Sequence, residues 1–254
     1  MDSEQENQEE EVAKKIKKES ENIFSQIKNK RIAHAGWAYK KKTYTNSIEA
    51  LNANKHDYEL FEIDLSWTSD WKLVCIHDWL GGPENHLWIY DTANTILDYK
   101  EFNTLARWYK DYTACNVESL MAWLDDNPNT FLVPDIKEKN SEALKLISEM
   151  YPEIQDRIIA QIYQPNEFSE IKNLWYKNII WTTYKYTGTN SQVLLELKKM
   201  DVVAVSMDKT RMQNGLARMT SDSWYYTYVH TLNTIKDLQI ARNFWVDEIM
   251  TDFL

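Results

Sequence analysis

Glu62 and Asp64 stand two residues apart in the apolar, β-branched and aromatic run Phe61-Glu62-Ile63-Asp64-Leu65. Side chains on a strand alternate faces, so both carboxylates leave the same side. On a strand that otherwise reads as buried, each of these ions costs several kcal/mol to desolvate unless a cation compensates it. A turn at Thr68 to Asp70 follows, then a second apolar run that ends in His77-Asp78. The gap between the runs is too short for a parallel crossover, which needs about a dozen residues, so the pattern predicts a hairpin that returns His77 to Glu62 and Asp64. Elsewhere, His34 ends the run Arg31-Ile32-Ala33-His34-Ala35, with Gly36 suited to a sharp exit. Asp135 and Lys137 share one face at the end of Leu132-Val133-Pro134-Asp135-Ile136-Lys137. Singly, each feature has an ordinary reading: solvated acids on a surface strand, a core histidine, an acid–lysine ion pair. Together they describe three carboxylates, two imidazoles and an ammonium at or near strand ends. Converging carboxylates repel unless a divalent cation sits among them, and an all-oxygen donor set favours Mg²⁺ or Ca²⁺ over zinc.

The elements that must position these groups follow from the hydrophobic pattern. Strand-like runs lie at 31–35, 60–65, 72–76, 130–136, 157–162, 178–183, 202–206, 225–230 and 246–250. Amphipathic stretches lie near 46–54, 100–109, 117–126, 139–151, 165–175, 189–199 and 232–243. Alternation of this kind signals an α/β fold with a mainly parallel sheet. A closed barrel needs one strand fewer, and the hairpin accounts for the extra one, so the pattern predicts a distorted (β/α)8 TIM barrel. An open doubly wound sheet is the alternative. In a barrel the strands' C-terminal ends converge on one mouth, where active sites are built. No Gly-rich loop follows the first strand, which argues against a Rossmann or P-loop nucleotide site. Residues 79–99 are irregular, turn at Gly81-Gly82-Pro83, and carry Trp79, Leu87 and Trp88, so they are expected to fold over the mouth. Residues 10–28 read as a helix with a thin stripe of Val12, Ile16, Ile23 and Ile27. It is expected to cap one end of the barrel, with a stalk from a membrane segment as the alternative. The expected division is a charged N-terminal extension over 1–29 and one barrel domain over 30–254.

The length of 254 residues suits one α/β barrel. A net charge of −10 argues against nonspecific nucleic-acid binding, and an anionic substrate would need a local cation. Cys75 and Cys115 give neither a disulfide framework nor a zinc pattern, and Cys75 reads as core. No apolar run approaches ~18 residues, and the acidic start shows no signal peptide. The chain as it stands reads as soluble, cytoplasmic or at a membrane surface, with membrane association left to the N-terminal or a missing segment.

His34-x-Gly36, the run Asn46-Ser47-Ile48-Glu49-Ala50, and Glu62-Ile63-Asp64 with Thr68, Asp70, His77 and Asp78 resemble the glycerophosphodiester phosphodiesterase family. Asp135-Ile136-Lys137 falls where that family has an acid-x-Lys strand. Tyr228 to Asn233 and Val246 to Asp252 are similar to its closing segments, so the resemblance spans about residues 31–254. It implies a distorted TIM barrel with one divalent cation, Mg²⁺ or Ca²⁺, held by Glu62, Asp64 and Asp135. His34 and His77 would be the general acid/base pair, and Lys137 would contact the phosphate. The implied reaction is metal-assisted hydrolysis of a glycerophosphodiester, or a related lipid or wall-polymer phosphodiester, to glycerol phosphate and an alcohol. An imidazole pKa near ~6.5 suits both proton transfers.

The chain departs from the family pattern at Ala35, where an Arg is usual, and at Thr45, where a Glu is usual. Loss of that Arg removes a bidentate phosphate contact, which a lysine replaces only as a point charge. Arg211 is a candidate for the missing contact. Asp135 in place of the usual Glu resembles the sphingomyelinase D-like phospholipases, although their disulfide loop is not visible after His77. A catalytically silent barrel that binds a phosphorylated headgroup is a further alternative. Gln161, Tyr163, Tyr184, Met207, Trp224, His230 and Trp245 are candidates to line the mouth.

Overall fold

The computed structural model describes residues 25, 28–80, 95–106, 113 and 115–254. The expected helix over 10–28 and most of the expected lid over 79–99 lie outside the described residues. Among the described residues the strands are β1 (Ile32–Ala33), β2 (Leu60–Trp67), β3 (Leu73–Val74), β4 (Phe131–Ile136), β5 (Ile159–Ile162), β6 (Asn178–Thr182), β7 (Ala204–Asp208), β8 (Thr227–His230) and β9 (Glu248–Thr251). Each falls on a run expected from the sequence.

All neighbouring strands pair in parallel except β3. The order runs β2-β1-β9-β8-β7-β6-β5, and β4 pairs with the other edge of β2. A single parallel bridge, Leu132 to Ile158, joins β4 to the entry of β5 and closes the ring. The result is a distorted (β/α)8 barrel, thin at the two-residue β1 and at the β4–β5 seam. β3 is the expected hairpin return, antiparallel to β2 through Ser66 with Val74 and Trp67 with Leu73.

The period of two divides the strand side chains into two sets. Phe61, Ile63, Leu65, Leu132, Ile136, Ala160, Ile162, Trp181, Val205, Met207, Val229 and Ile249 belong to the cluster that packs under the helices. The helices supply Leu51 from α1 (Ile48–Asn54), Leu120, Met121 and Leu124 from α3 (Val117–Asp126), and Leu144 and Ile147 from α4 (Asn140–Met150). The helix between β3 and α3 is α2 (Tyr99–Ala106), which buries Phe102 against Trp79. The opposite set fills the barrel: Ile32, Leu60, Phe131, Val133, Ile159, Ile180, Ala204, Tyr226, Tyr228 and Met250 form its apolar floor. Continuing each inward stripe by two residues reaches His34, Glu62, Asp135, Gln161, Thr182, Ser206 and His230. The barrel interior therefore changes from apolar to polar toward the strands' C-terminal ends.

Two expectations are corrected here. Cys75 and Cys115 form a disulfide, with Cα atoms 5.2 Å apart and a sequence separation of 40. The second apolar run stops being a β2 partner after Val74. Val74 bridges Asn116, and the Cys75 N–H donates to the Cys115 carbonyl at 2.9 Å. The chain that returns from α2 thus docks on the hairpin beside His77, which is why the cysteines meet. Met207, expected at the mouth, faces outward into the core between barrel and helices.

Candidate active site

His34 leaves β1 through a backbone that turns sharply. Ala35 has φ 48° and Gly36 φ 78°, both in the left-handed region. At Gly36 the left-handed φ itself favours glycine, while an added Cβ would meet Ala50 Cβ and Ile63 Cδ1 at 3.4 Å, an ordinary contact. The turn aims the Ala35 N–H at Glu62 Oε2, 2.7 Å away. Asn46 locks the neighbouring acid: its Nδ2 donates to Asp64 Oδ2 at 3.0 Å, and its Oδ1 accepts from the Asp64 N–H at 2.9 Å. Parallel pairing of β2 with β4 sets Asp64 beside Asp135. One carboxylate oxygen from each of Glu62, Asp64 and Asp135 lies within 4.8 Å of the others.

Lys137 Nζ lies 2.6 Å from Asp135 Oδ2 and 3.0 Å from Asp64 Oδ1. Burial opposes its charge, but Asp64 and Asp135 outweigh burial and hold the ammonium firmly protonated. Burial also opposes ionisation of Asp64, yet Lys137 and the two histidines keep its pKa below the usual carboxylate value. Glu62 has the His34 ring 3.9 Å from its Oε2 but no lysine in contact. Burial and the Asp64 charge push its pKa up to about 8, and its buried Oε1 has no hydrogen-bond partner. Three acids beside one lysine thus leave a buried Glu62 oxygen without a hydrogen-bond partner. That donor set fits a hard divalent cation.

Both imidazoles present the same arrangement. His34 Nδ1 is 2.8 Å from Asp252 Oδ1, with Nε2 3.9 Å from Glu62 Oε2. His77 Nδ1 bonds Asp78 Oδ2. An Asp on Nδ1 fixes the ring's orientation and leaves Nε2 as the working nitrogen. The expectation of an ordinary pKa is corrected at His34. Burial works against the charged ring, but Glu62, Asp252 and Asp64 outweigh it and raise the pKa to about 9. Tyr44 stands between the two rings, edge-on, at 4.6 Å from His34 and 5.4 Å from His77.

The six residues singled out from the sequence are brought together. His34, Glu62, His77, Asp135 and Lys137 line one cavity of about 230 Å³, and Asp64 lies against Lys137 beside them. Of the further mouth candidates, Gln161, Tyr184 and His230 line the cavity, whereas Tyr163 stands behind it with its hydroxyl on Asp135. Trp224 and Trp245 are exposed just before β8 and β9, at the other end of the barrel. Arg211 does not reach the cavity: its guanidinium is held by the carbonyls of Tyr186 and Gly188. Sequence reasoning missed the roles of Asn46, Asp252 and Tyr44. The first two stand in motifs already noted, and Asp252 follows Met250 on the inward stripe of β9. Tyr44, with φ 56°, carries no comparable signal.

No protein-family model and no curated protein sequence matches the chain. Solved structures do. A glycerophosphodiester phosphodiesterase from Parabacteroides distasonis is 20% identical, with TM-score 0.69 over 89% of this chain and 93% of that one. One from Thermotoga maritima is 16% identical, with TM-score 0.67 over 87% and 93%. An Oleispira antarctica phosphodiesterase, solved in complex with the product sn-glycerol-3-phosphate, is 14% identical, with TM-score 0.66 over 91% and 95%. Across most of its length, this chain has the fold of the glycerophosphodiester phosphodiesterases.

Proposed function

We propose that residues 30–254 form a hydrolase domain that cleaves a glycerophosphodiester, or a related lipid or wall-polymer phosphodiester, to glycerol phosphate and an alcohol. Residues 1–29 are its charged extension. The observation that carries this reading is two Asp-oriented imidazoles beside three convergent carboxylates in a single cavity. The product complex of the Oleispira relative supports the choice of a small phosphodiester.

Glu62, Asp64 and Asp135 would hold Mg²⁺ or Ca²⁺, which supplies charge neutralisation at a non-bridging phosphate oxygen. Lys137, held between Asp64 and Asp135, adds positive charge on the same side. One imidazole Nε2 removes a proton from the attacking oxygen: water gives glycerol phosphate directly, whereas a neighbouring hydroxyl of the substrate gives a cyclic phosphate that water, activated in the same way, then opens to glycerol phosphate. The other Nε2 gives a proton to the leaving oxygen. Asp252 and Asp78 keep each ring turned for this, because a carboxylate on Nδ1 stabilises the imidazolium that forms. The acids alone would repel a phosphodiester from a protein of net charge −10, so the bound cation also makes the anion acceptable.

A silent barrel that binds a phosphorylated headgroup is the second reading. It is favoured by the lack of an arginine among the described residues that line the cavity. An assay with glycerophosphodiesters and a chromogenic phosphodiester, in Mg²⁺ or Ca²⁺ with a chelator control, separates the two. Cation-dependent release, abolished by chelation, is expected. Saturable binding of glycerol phosphate without turnover of any phosphodiester would favour the silent barrel instead.

A further inference from the structure

The end of the barrel opposite the cavity presents three indoles to solvent. Trp175, Trp224 and Trp245 stand in the turns that enter β6, β8 and β9, and they are 74%, 96% and 48% exposed. Each follows a helix, respectively Glu167–Asn173, Leu216–Asp222 and Ile235–Asn243. Their N–H groups close those helices on the carbonyls of Lys172, Ser221 and Arg242, at 3.0, 2.9 and 3.1 Å. All three have a left-handed backbone, with φ 69°, 68° and 62°. A helix that ends this way usually ends on glycine, because any side chain is strained there. Here the position holds the largest side chain each time. Glycine would close each turn with less strain, and little of the ring is buried in return.

An indole has an apolar body and a polar N–H, which suits the boundary between water and lipid headgroups. The charges around these rings separate that boundary from a protein partner. The Arg218 guanidinium lies 4.0 Å from the centre of the Trp245 ring, and Lys172 and Lys177 flank Trp175. The core of a protein interface is depleted in such charges, whereas a membrane surface accepts lysine and arginine beside tryptophan. The net charge of −10 is also unevenly spread over this end. The turns before β4 and β5 are acidic, with Asp125, Asp126, Glu149 and Glu153 exposed. Around the indoles cations outnumber acids: besides the two lysines at Trp175, Lys198 and Lys199 precede β7, and Lys30 and Arg31 lead into β1 beside β9. Some are paired, Lys172 with Asp201 and Lys177 with Asp156, yet the surplus on this side is positive. Anionic headgroups complement it.

We propose that this end of the barrel docks on a membrane surface that contains anionic phospholipid, with Trp175, Trp224 and Trp245 entering the headgroup layer. The cavity then opens away from the bilayer. It follows, where the phosphodiesterase reading above holds, that the substrate is a diester dissolved in water rather than a lipid of the same membrane.

The test sediments the full chain with vesicles of phosphatidylcholine and phosphatidylglycerol in equal parts, and with vesicles of phosphatidylcholine alone. Binding should be stronger on the anionic vesicles and should weaken with salt. The triple variant Trp175→Gly, Trp224→Gly, Trp245→Gly should lower the partition coefficient by about tenfold per indole. Its melting temperature should hold, since glycine is at ease at a positive φ. If the triple variant does not fold, Trp224→Gly alone should still lose about tenfold. No sedimentation with either vesicle, or binding that the glycine variants keep, overturns the inference. So does a wild-type dimer that the glycine variants lose while vesicles bind neither protein, which would make a second copy the occupant. Vesicle-bound protein should cleave a soluble glycerophosphodiester and spare the phosphatidylglycerol beneath it. Cleavage of that lipid overturns the orientation. Absence of any cleavage removes the phosphodiesterase reading and leaves the docking, which sedimentation decides by itself.

Discussion

The β1–β4 wall and the β5–β8 wall of the cavity are built alike, from inward stripes that rise off a common apolar floor. Their chemistry is opposite. The first gathers Glu62, Asp64, Asp135, Lys137 and His34, with His77 added by the hairpin. The second holds Gln161, Thr182, Ser206 and His230, whose polar atoms largely bond one another. Internal satisfaction makes a buried polar wall cheap to keep, because its groups exchange water for protein partners. The charged wall is not satisfied internally: Glu62 Oε1 has no partner, and one lysine faces three acids. Such an arrangement is held by the scaffold around it and is completed by what binds. The comparison therefore separates a wall left with unmet charge from one whose polar groups satisfy one another.

Truncation should break this symmetry most sharply. His34→Ala and His77→Ala are expected to lower kcat by ~10²–10⁴, the usual size for a lost general acid or base. Thr182→Val, an equally small change on the other wall, should stay within about tenfold, the scale of one neutral hydrogen bond. Steady-state kinetics on folded variants checks both. Near-normal turnover in either histidine variant would remove the division of labour.

The disulfide belongs to the charged wall alone. Cys75 stands two residues before His77, and its partner Cys115 precedes α3, so the bond, with a sequence separation of 40, ties both ends of the intervening segment beside His77. Closing a loop of that length stabilises the fold by about 4 kcal/mol in the chain-entropy model. Reduction, or replacement of both cysteines by serine, should lower the melting temperature and also kcat, because His77 loses its tether. Calorimetry with and without reductant, beside steady-state kinetics, measures each effect. Unchanged melting and unchanged kcat would show that the hairpin is held without the bond.

The two walls also differ in how far the sequence reveals them. The charged wall is written in short range: Glu62-x-Asp64 and Asp135-x-Lys137 each occupy one strand end, where a period of two places both members on one face. The hairpin and its histidine follow from the short gap at Thr68 to Asp70. The neutral wall is assembled from residues on β5, β6, β7 and β8, one or two from each, and no local pattern distinguishes Thr182 or Ser206 from ordinary strand residues. The inward parity that places them is visible only once the apolar floor residues are known. Asp252 is intermediate, since its closing motif is legible but its bond to a histidine 218 residues away is a product of barrel closure. The disulfide was illegible for the same reason. Two cysteines give no framework, and they meet only because the returning chain docks on the hairpin.

Titration sharpens the comparison with the smallest expected effect. Without a bound cation, His34 is raised to about 9 in the folded protein from an ordinary value near ~6.5. The native state then holds that proton between the two values while the unfolded chain releases it. The stability this contributes is fully present below about pH 6.5 and is lost as pH rises through about 9. Glu62 acts in the same direction. Raised to about 8, it keeps a proton that the unfolded carboxyl has already lost, so rising pH again favours the unfolded chain. A chelated sample should therefore melt at lower temperature at pH 9 than at pH 6.5. At roughly 2–4 °C per kcal/mol for a chain of this size, the shift is a matter of degrees. Mg²⁺ or Ca²⁺ should restore melting most at the alkaline end, where the carboxylates are ionised and free of protons. His230, pushed down to about 4, acts in the opposite direction and only at the low end of this range: its unfolded imidazole sheds its proton near ~6.5, so its small penalty fades as pH rises. His230→Phe removes that opposing contribution and should make the alkaline fall slightly steeper. A flat profile in chelator, or one indifferent to added cation, would mean that the acids are compensated within the protein and that the contrast between the walls does not depend on a metal.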